Sequence, residues 1–355
     1  MADVAQDSGS VEAGRDARTS DAGDAGHRGP DGGKVVATSD GGGTRDSGGG
    51  IDGAAVFDGA PGSDSSGASS SATQLILFGG VGPDFDLSDT WSWNGSAWSA
   101  VSSTGPNSRS SAASASLQGN FVLFGGQITS ETCANDTWSW NGATWTRVSS
   151  TGPSPRSGAM AATLGDHILL YGGQDADDNN LSDTWLWDGS SWSMLAVPPP
   201  APRAGAAIAT LGGTVVLFGG ADANDNVLGV TWVWNGTQWS MAAATGPSPR
   251  VGAVAATLGN AVVLFGGRTY DDGGSTLDGD TWTWDGTSWS MASTTGADPR
   301  AFAVAATLHG SVVLFGGLGV DDATLNDTWL WNGASWATSS AVGPEARYAA
   351  VMSAL

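Results

Sequence analysis

Two residue types recur along this chain at offsets that could carry chemistry. Arginines stand at positions 109, 156, 203, 250, 300 and 347, and aspartates at 89, 136, 183, 280 and 327. A guanidinium and a carboxylate that meet partly out of water favour a bidentate pair, and either one left without its partner becomes a recognition group. The series therefore predicts a repeated structural pairing of Arg109, Arg156, Arg300 and Arg347 with Asp89, Asp136, Asp183, Asp280 and Asp327. Val230 stands where a sixth aspartate would be, so Arg203 and Arg250 are candidates for ligand binding.

A second set of oxygen-rich side chains lies in DADDNN (Asp175 to Asn180), DANDN (Asp222 to Asn226), DDGGSTLDGD (Asp271 to Asp280) and Asp321-Asp322. Calcium takes six to eight oxygen ligands, and Asp175, Asp177 and Asn179 form the best candidate for a calcium site. Ordinary surface turns use the same residues, so a solvated loop is the competing reading. No other cofactor is expected. His27, His167 and His309 share no site, Cys133 is the only cysteine, and no cluster has zinc spacing. No serine has an identifiable base beside it. Paired carboxylates leave glycosidic chemistry open, so a secreted carbohydrate-active enzyme is an alternative to a non-catalytic role.

The elements that position these residues come from a repeat. All 18 tryptophans fall into six triplets: Trp91, Trp93 and Trp98; Trp138, Trp140 and Trp145; Trp185, Trp187 and Trp192; Trp232, Trp234 and Trp239; Trp282, Trp284 and Trp289; Trp329, Trp331 and Trp336. Each follows an apolar run ending in a glycine pair: Gly79-Gly80, Gly125-Gly126, Gly172-Gly173, Gly219-Gly220, Gly266-Gly267 and Gly316-Gly317. The spacing of these pairs is 46, 47, 47, 47 and 50 residues. Each unit reads as four short strands, as in RSGAMAATL, HILLYGG, DTWLWDG and SWSML, with a tight Asn-Gly or Asp-Gly link before the last. Four strands at this period are the signature of a propeller blade. The tryptophans are then packing between blades, each ring burying roughly 150–250 Å².

The ordered series of an arginine, a glycine pair, an aromatic pair and a later tryptophan resembles the kelch repeat, including the units of the galactose oxidase central domain. The resemblance covers about Ala72 to Leu355 and implies an all-β, six-bladed propeller of four-stranded antiparallel blades. It departs from the common pattern in using Trp before the turn and in lacking a His after the arginine. None of the galactose oxidase copper ligands can be carried onto Tyr171, Tyr270 or Tyr348. The first unit lacks its arginine-led strand, and RYAAVMSAL (Arg347 to Leu355) supplies it from the other end. The C-terminal segment is thus expected to be the innermost strand of blade one and to close the ring.

Residues 71–355 form the expected propeller; residues 1–70, rich in Gly, Ala, Ser and Asp, are expected to be a disordered spacer. The chain has 35 acidic and 13 basic residues, and both regions are acidic. That argues against nucleic acid and anionic membranes as partners. No apolar run is long enough to span a bilayer, so no membrane insertion is expected. The N-terminus lacks the basic-then-apolar order of a secretory signal, yet the tail resembles spacers of bacterial surface proteins, and an extracellular or envelope setting is expected.

Strand alternation gathers the loops between second and third strands, with the links between blades, on one face. These loops differ from unit to unit, one offering Phe85 and another Tyr270, both ligand-binding candidates. The expected function is a monomeric, non-catalytic recognition module whose loop face binds a protein or glycan, with a mainly structural surface role as a further alternative.

Overall fold

Short runs of β-branched and aromatic residues, cut by glycine, pair with their sequence neighbours. In the second repeat Ala113–Leu117, Asn120–Phe124, Thr137–Trp140 and Trp145–Ser149 form an antiparallel sheet in chain order. In the computed structural model, which describes residues 72–102, 104–242, 245–271 and 274–355, five further four-stranded sheets have the same design. Six blades result, each running from an innermost strand to an outer one. The expected spacer, residues 1–70, lies outside the described residues.

The first blade is built from both ends of the described chain. Val351–Ala354 pairs with Leu75–Phe78, with Leu75 opposite Ala354 and Phe78 opposite Val351. The ring closes as the sequence predicts.

Burial follows position in the blade. Each second strand carries at least four consecutive buried residues, as in Phe121 to Phe124, because both sides of the sheet are covered by neighbouring blades. The innermost strands alternate small buried residues with half-buried ones. Their hydroxyls form a belt around the axis: Thr163 donates to the carbonyl of Ser116, Thr210 to Thr163, Thr257 to Thr210, and Thr307 to Thr257. Ser116 donates in turn to the carbonyl of Ala354 in the closing strand.

The three tryptophans of a triplet have three different jobs. The second is the most buried, with Trp93, Trp140, Trp187, Trp234, Trp284 and Trp331 all at or below 1% exposure. The third packs against the preceding blade. Trp145 meets Phe78 edge-on at 5.2 Å, and its Nε1 donates to Thr90 Oγ1 at 2.9 Å. The same indole-to-threonine bond recurs at every blade boundary. In five blades the first tryptophan belongs to the arginine and aspartate network described below; Trp232, behind Val230, is the exception.

Two local features complete the blades. The tight Asn-Gly and Asp-Gly links are four-residue loops, since Trp93 pairs directly with Trp98. Asn94 Oδ1 accepts the backbone N–H groups of Ser96 and Ala97, and Gly95 takes the positive φ of 99°. Two loops also contain extra hairpins: Gln127–Thr129 with Thr132–Cys133, and Arg268–Asp271 with Gly274–Leu277. No helix among the described residues is long and apolar enough to cross a membrane.

Candidate functional site

Where each inter-blade link enters the next blade, its arginine is almost wholly buried. Arg109 illustrates the arrangement. Its backbone N–H donates to the carbonyl of Leu87, and its own carbonyl accepts the Gly80 N–H, which ties the link to the preceding blade. A side chain at Gly79, at φ +65°, would place its Cβ 2.7 Å from that same Arg109 carbonyl, so the glycine pair is required by this close approach. The Arg109 guanidinium turns into its own blade, where Nη1 donates to Asp136 Oδ1 at 2.6 Å and to the Gly125 carbonyl at 2.9 Å. Trp138 Nε1 donates to the other Asp136 oxygen at 2.7 Å.

The same geometry joins Arg156 to Asp183, Arg250 to Asp280, Arg300 to Asp327, and Arg347 to Asp89. Burial pushes these carboxyls up, but hydrogen bonds from arginine and tryptophan outweigh it and hold all five below the ordinary value.

The exception lies at Arg203 alone. Arg250 is fully engaged by Asp280 and has the Asp278 carboxylate 3.6 Å from its Nε, so it is not a free guanidinium. Arg203 faces Val230 and, in place of a carboxylate, donates to the carbonyls of Ala201 at 3.1 Å and Gly219 at 3.0 Å and has the Tyr171 hydroxyl as its side-chain partner. Tyr171 occupies the place held by Phe78, Phe124, Phe218, Phe265 and Phe315 in the other blades. The polar exchange from Phe to Tyr therefore sits against the arginine that lost its aspartate. Burial pulls the Arg203 pKa down and the Tyr171 pKa up. Both candidates, Arg203 and Arg250, are at most 2% exposed and are closed off from a ligand on the surface.

The acidic loops are closed by their own hydrogen bonds. Asp175 Oδ1 accepts the backbone N–H groups of Asp177 and Asn179, and the Asn179 amide donates to both oxygens at 3.2 Å. Asp222 does the same for Asn224 and Asn226 in the next blade. The arrangement is that of an Asx-stabilised turn, and no group of three or more His, Cys, Asp or Glu among the described residues could hold a metal ion.

Phe85 and Tyr270 both stand out on the loop face, 64% and 48% exposed, in blades one and five. They belong to different loops, and Tyr270 alone lines a groove. This groove, of about 490 Å³, lies between blades four and five and is lined by Asp225, Asn226, Val227, Ser248, Pro249, Thr269 and Tyr270. It exists because the inserted hairpin of blade five stands Thr269 and Tyr270 up beside the link carrying Pro249. The sequence showed Tyr270 but not its neighbours, whose meeting depends on the blade boundary.

The opposite face is uniform. The loops at Asn94, Asn141, Asp188, Asn235, Asp285 and Asn332 all repeat the same Asx capping. Four donors, the backbone N–H and the hydroxyl of both Thr287 and Ser288, hold the Asp285 carboxyl down to about 2.

Comparison with known proteins agrees with this geometry. Residues 58–220 match the KLHDC2/KLHL20/DRC7 Kelch-repeats domain. No curated protein matches the chain by sequence. Among solved structures, "Structure of YjhT" is similar in fold, with a TM-score of 0.61 over 71% of this chain and 91% of that one, at 17% identity. With six units that each carry the glycine pair, the tryptophan series and the buried arginine in one closed ring, the described residues form a six-bladed β-propeller similar to the kelch-repeat propellers.

Proposed function

We propose that this propeller is a non-catalytic recognition scaffold that holds a protein partner on the face bearing the loops between second and third strands. Kelch propellers generally bind protein partners. The observation that carries the reading is the contrast between the two faces. One repeats a single capped turn six times, whereas the other varies from blade to blade and exposes Phe85, Tyr270 and Val320. A rigid ring with blade-specific loops on one side is a common way to build a binding surface.

A photo-crosslinking side chain introduced at Phe85 or Tyr270, and separately at Ser96 or Ala334 on the capped turns, tests this in native cells. Adducts with a protein are expected from the first pair and not the second. Equal labelling from both pairs, or labelling from neither, overturns the face assignment. An extracellular or envelope setting belongs to the same proposal, and protease accessibility of the propeller in intact cells tests it.

A further inference from the structure

The six repeat arginines that reach toward the loop face are at most 2% exposed. Five of them are neutralised by aspartate. The variable loops of that face carry Asp84, Asp86, Glu131, Asp177, Asp178, Asp225 and Asp321, against one half-buried cation, Arg268. Arg268 is itself paired with Asp322 at 2.6 Å. The outward field of this face is therefore negative, which favours approach of a cationic partner.

The groove between blades four and five adds a local shape to that field. Tyr270, from the hairpin of blade five, and Asp225, from the loop of blade four, both line it, and Pro249 and Val227 add apolar surface. Asp222, three residues before Asp225, is consumed by the turn, accepting bonds from Asn224 and Asn226. The Asp225 carboxylate accepts no such bond among the described residues, and it is exposed. An aromatic ring, a free carboxylate and an apolar lining suit a side chain with a long hydrocarbon stem and a positive head. The stem lies against Pro249 and Val227, the head meets the ring, and Asp225 supplies the counter-charge.

We infer that this groove is a pocket for the guanidinium or ammonium group of a basic segment in the partner protein. The inference rests on the reading that the loop face is the docking face, and it names the chemistry that face selects.

The test is fluorescence anisotropy of a labelled (Arg-Gly)4 octapeptide with the full chain, against a (Glu-Gly)4 control. Saturable binding of the arginine peptide alone is expected. Tyr270→Ala and Asp225→Asn should each weaken it roughly fivefold, while Tyr270→Phe, which keeps the ring, should stay within about twofold. Asp177→Asn removes the same charge from the neighbouring blade and should also stay within about twofold. Thermal midpoints of all four variants should match the parent, since each site is exposed. Equal losses from Asp177→Asn and Asp225→Asn would reduce the pocket to a diffuse field and overturn it. So would an unchanged affinity in Tyr270→Ala, or no preference for the arginine peptide. If these fold-changes fail while crosslinks at Phe85 and Tyr270 succeed, the pocket falls and the scaffold reading stands.

Discussion

Trp98 and Thr328 are separated by 230 residues and meet across the seam that closes the ring, the indole Nε1 donating to the threonine Oγ1 at 2.9 Å. Both are buried, so neither has water as an alternative partner. Thr328→Val keeps the shape and removes the acceptor, leaving a buried indole N–H unsatisfied at a cost of about 1–3 kcal/mol. Thr328→Ser should recover most of that. Urea midpoints of the two variants decide it: equal midpoints would mean the bond contributes nothing.

Arg203 is the one repeat arginine without a carboxylate, because Val230 replaces the aspartate. Val230→Asp should restore the bidentate pair and the bond from Trp232, stabilising the ring by about 1–3 kcal/mol. In that background Tyr171→Phe should cost less than in the parent chain, since the tyrosine hydroxyl then no longer serves an unpaired cation. A double-mutant cycle of unfolding free energies measures this coupling. Strict additivity would show that Tyr171 does not compensate for Val230.

Interactions at fixed sequence offsets were the legible part of this protein. The glycine pairs, the tryptophan triplets and the arginine and aspartate series recur within one unit, so period alone exposes them. The ambiguity between Arg203 and Arg250 had a geometric cause. Val230 lies between the two in sequence, and only the direction in which each guanidinium turns decides which one loses its partner. The bond from Trp145 to Thr90 was not legible, because it crosses a blade boundary between residues that each also have a local role. The groove was hidden for the same reason: Tyr270 was visible as an oddity, whereas Asp225 and Pro249 reach it only through the packing of neighbouring blades.

Asp278 is a second departure from the repeat. The other blades place Leu87, Ala134, Leu181, Leu228 and Leu325 at this position. Asp278 Oδ2 is buried without a hydrogen bond, and burial pushes the carboxyl above its ordinary value despite Arg250 nearby. A carboxyl with a raised folded pKa is a penalty that is full above that folded pKa and fades as pH falls toward the unfolded value of 3.8. Asp278→Leu should therefore stabilise the protein at neutral pH, by about 1 kcal/mol. The gain should shrink on acidification through the folded pKa. Thermal unfolding across pH 7 to 4 checks both signs, and a gain that grows on acidification would refute the assignment.

Closure of the ring rests on a strand of only four residues. Val351–Ala354 supplies the ladder to Leu75–Phe78, and Arg347 just before it supplies the pair to Asp89 at 2.6 Å. Removing residues 347–355 would leave the Asp89 carboxylate without its cation and expose the edge of the first blade along its buried second strand. The truncated chain should unfold at a lower urea concentration and associate through that edge, which sedimentation would detect. The closing strand is also where the hydroxyl belt is interrupted. Ala354 stands opposite Leu75 in the register where Thr307 stands opposite Val312, so the strand accepts from Ser116 at the Ala354 carbonyl, while its one hydroxyl, that of Ser353, meets Ser116 Oγ at 2.7 Å and position 354 has none to donate to Thr307. Ala354→Thr should complete the belt and add about 1 kcal/mol. If the truncation matched the parent in midpoint and size, the ring would not depend on this strand. If Ala354→Thr destabilised instead, the seam would be packed too tightly for the side chain that the other blades accept.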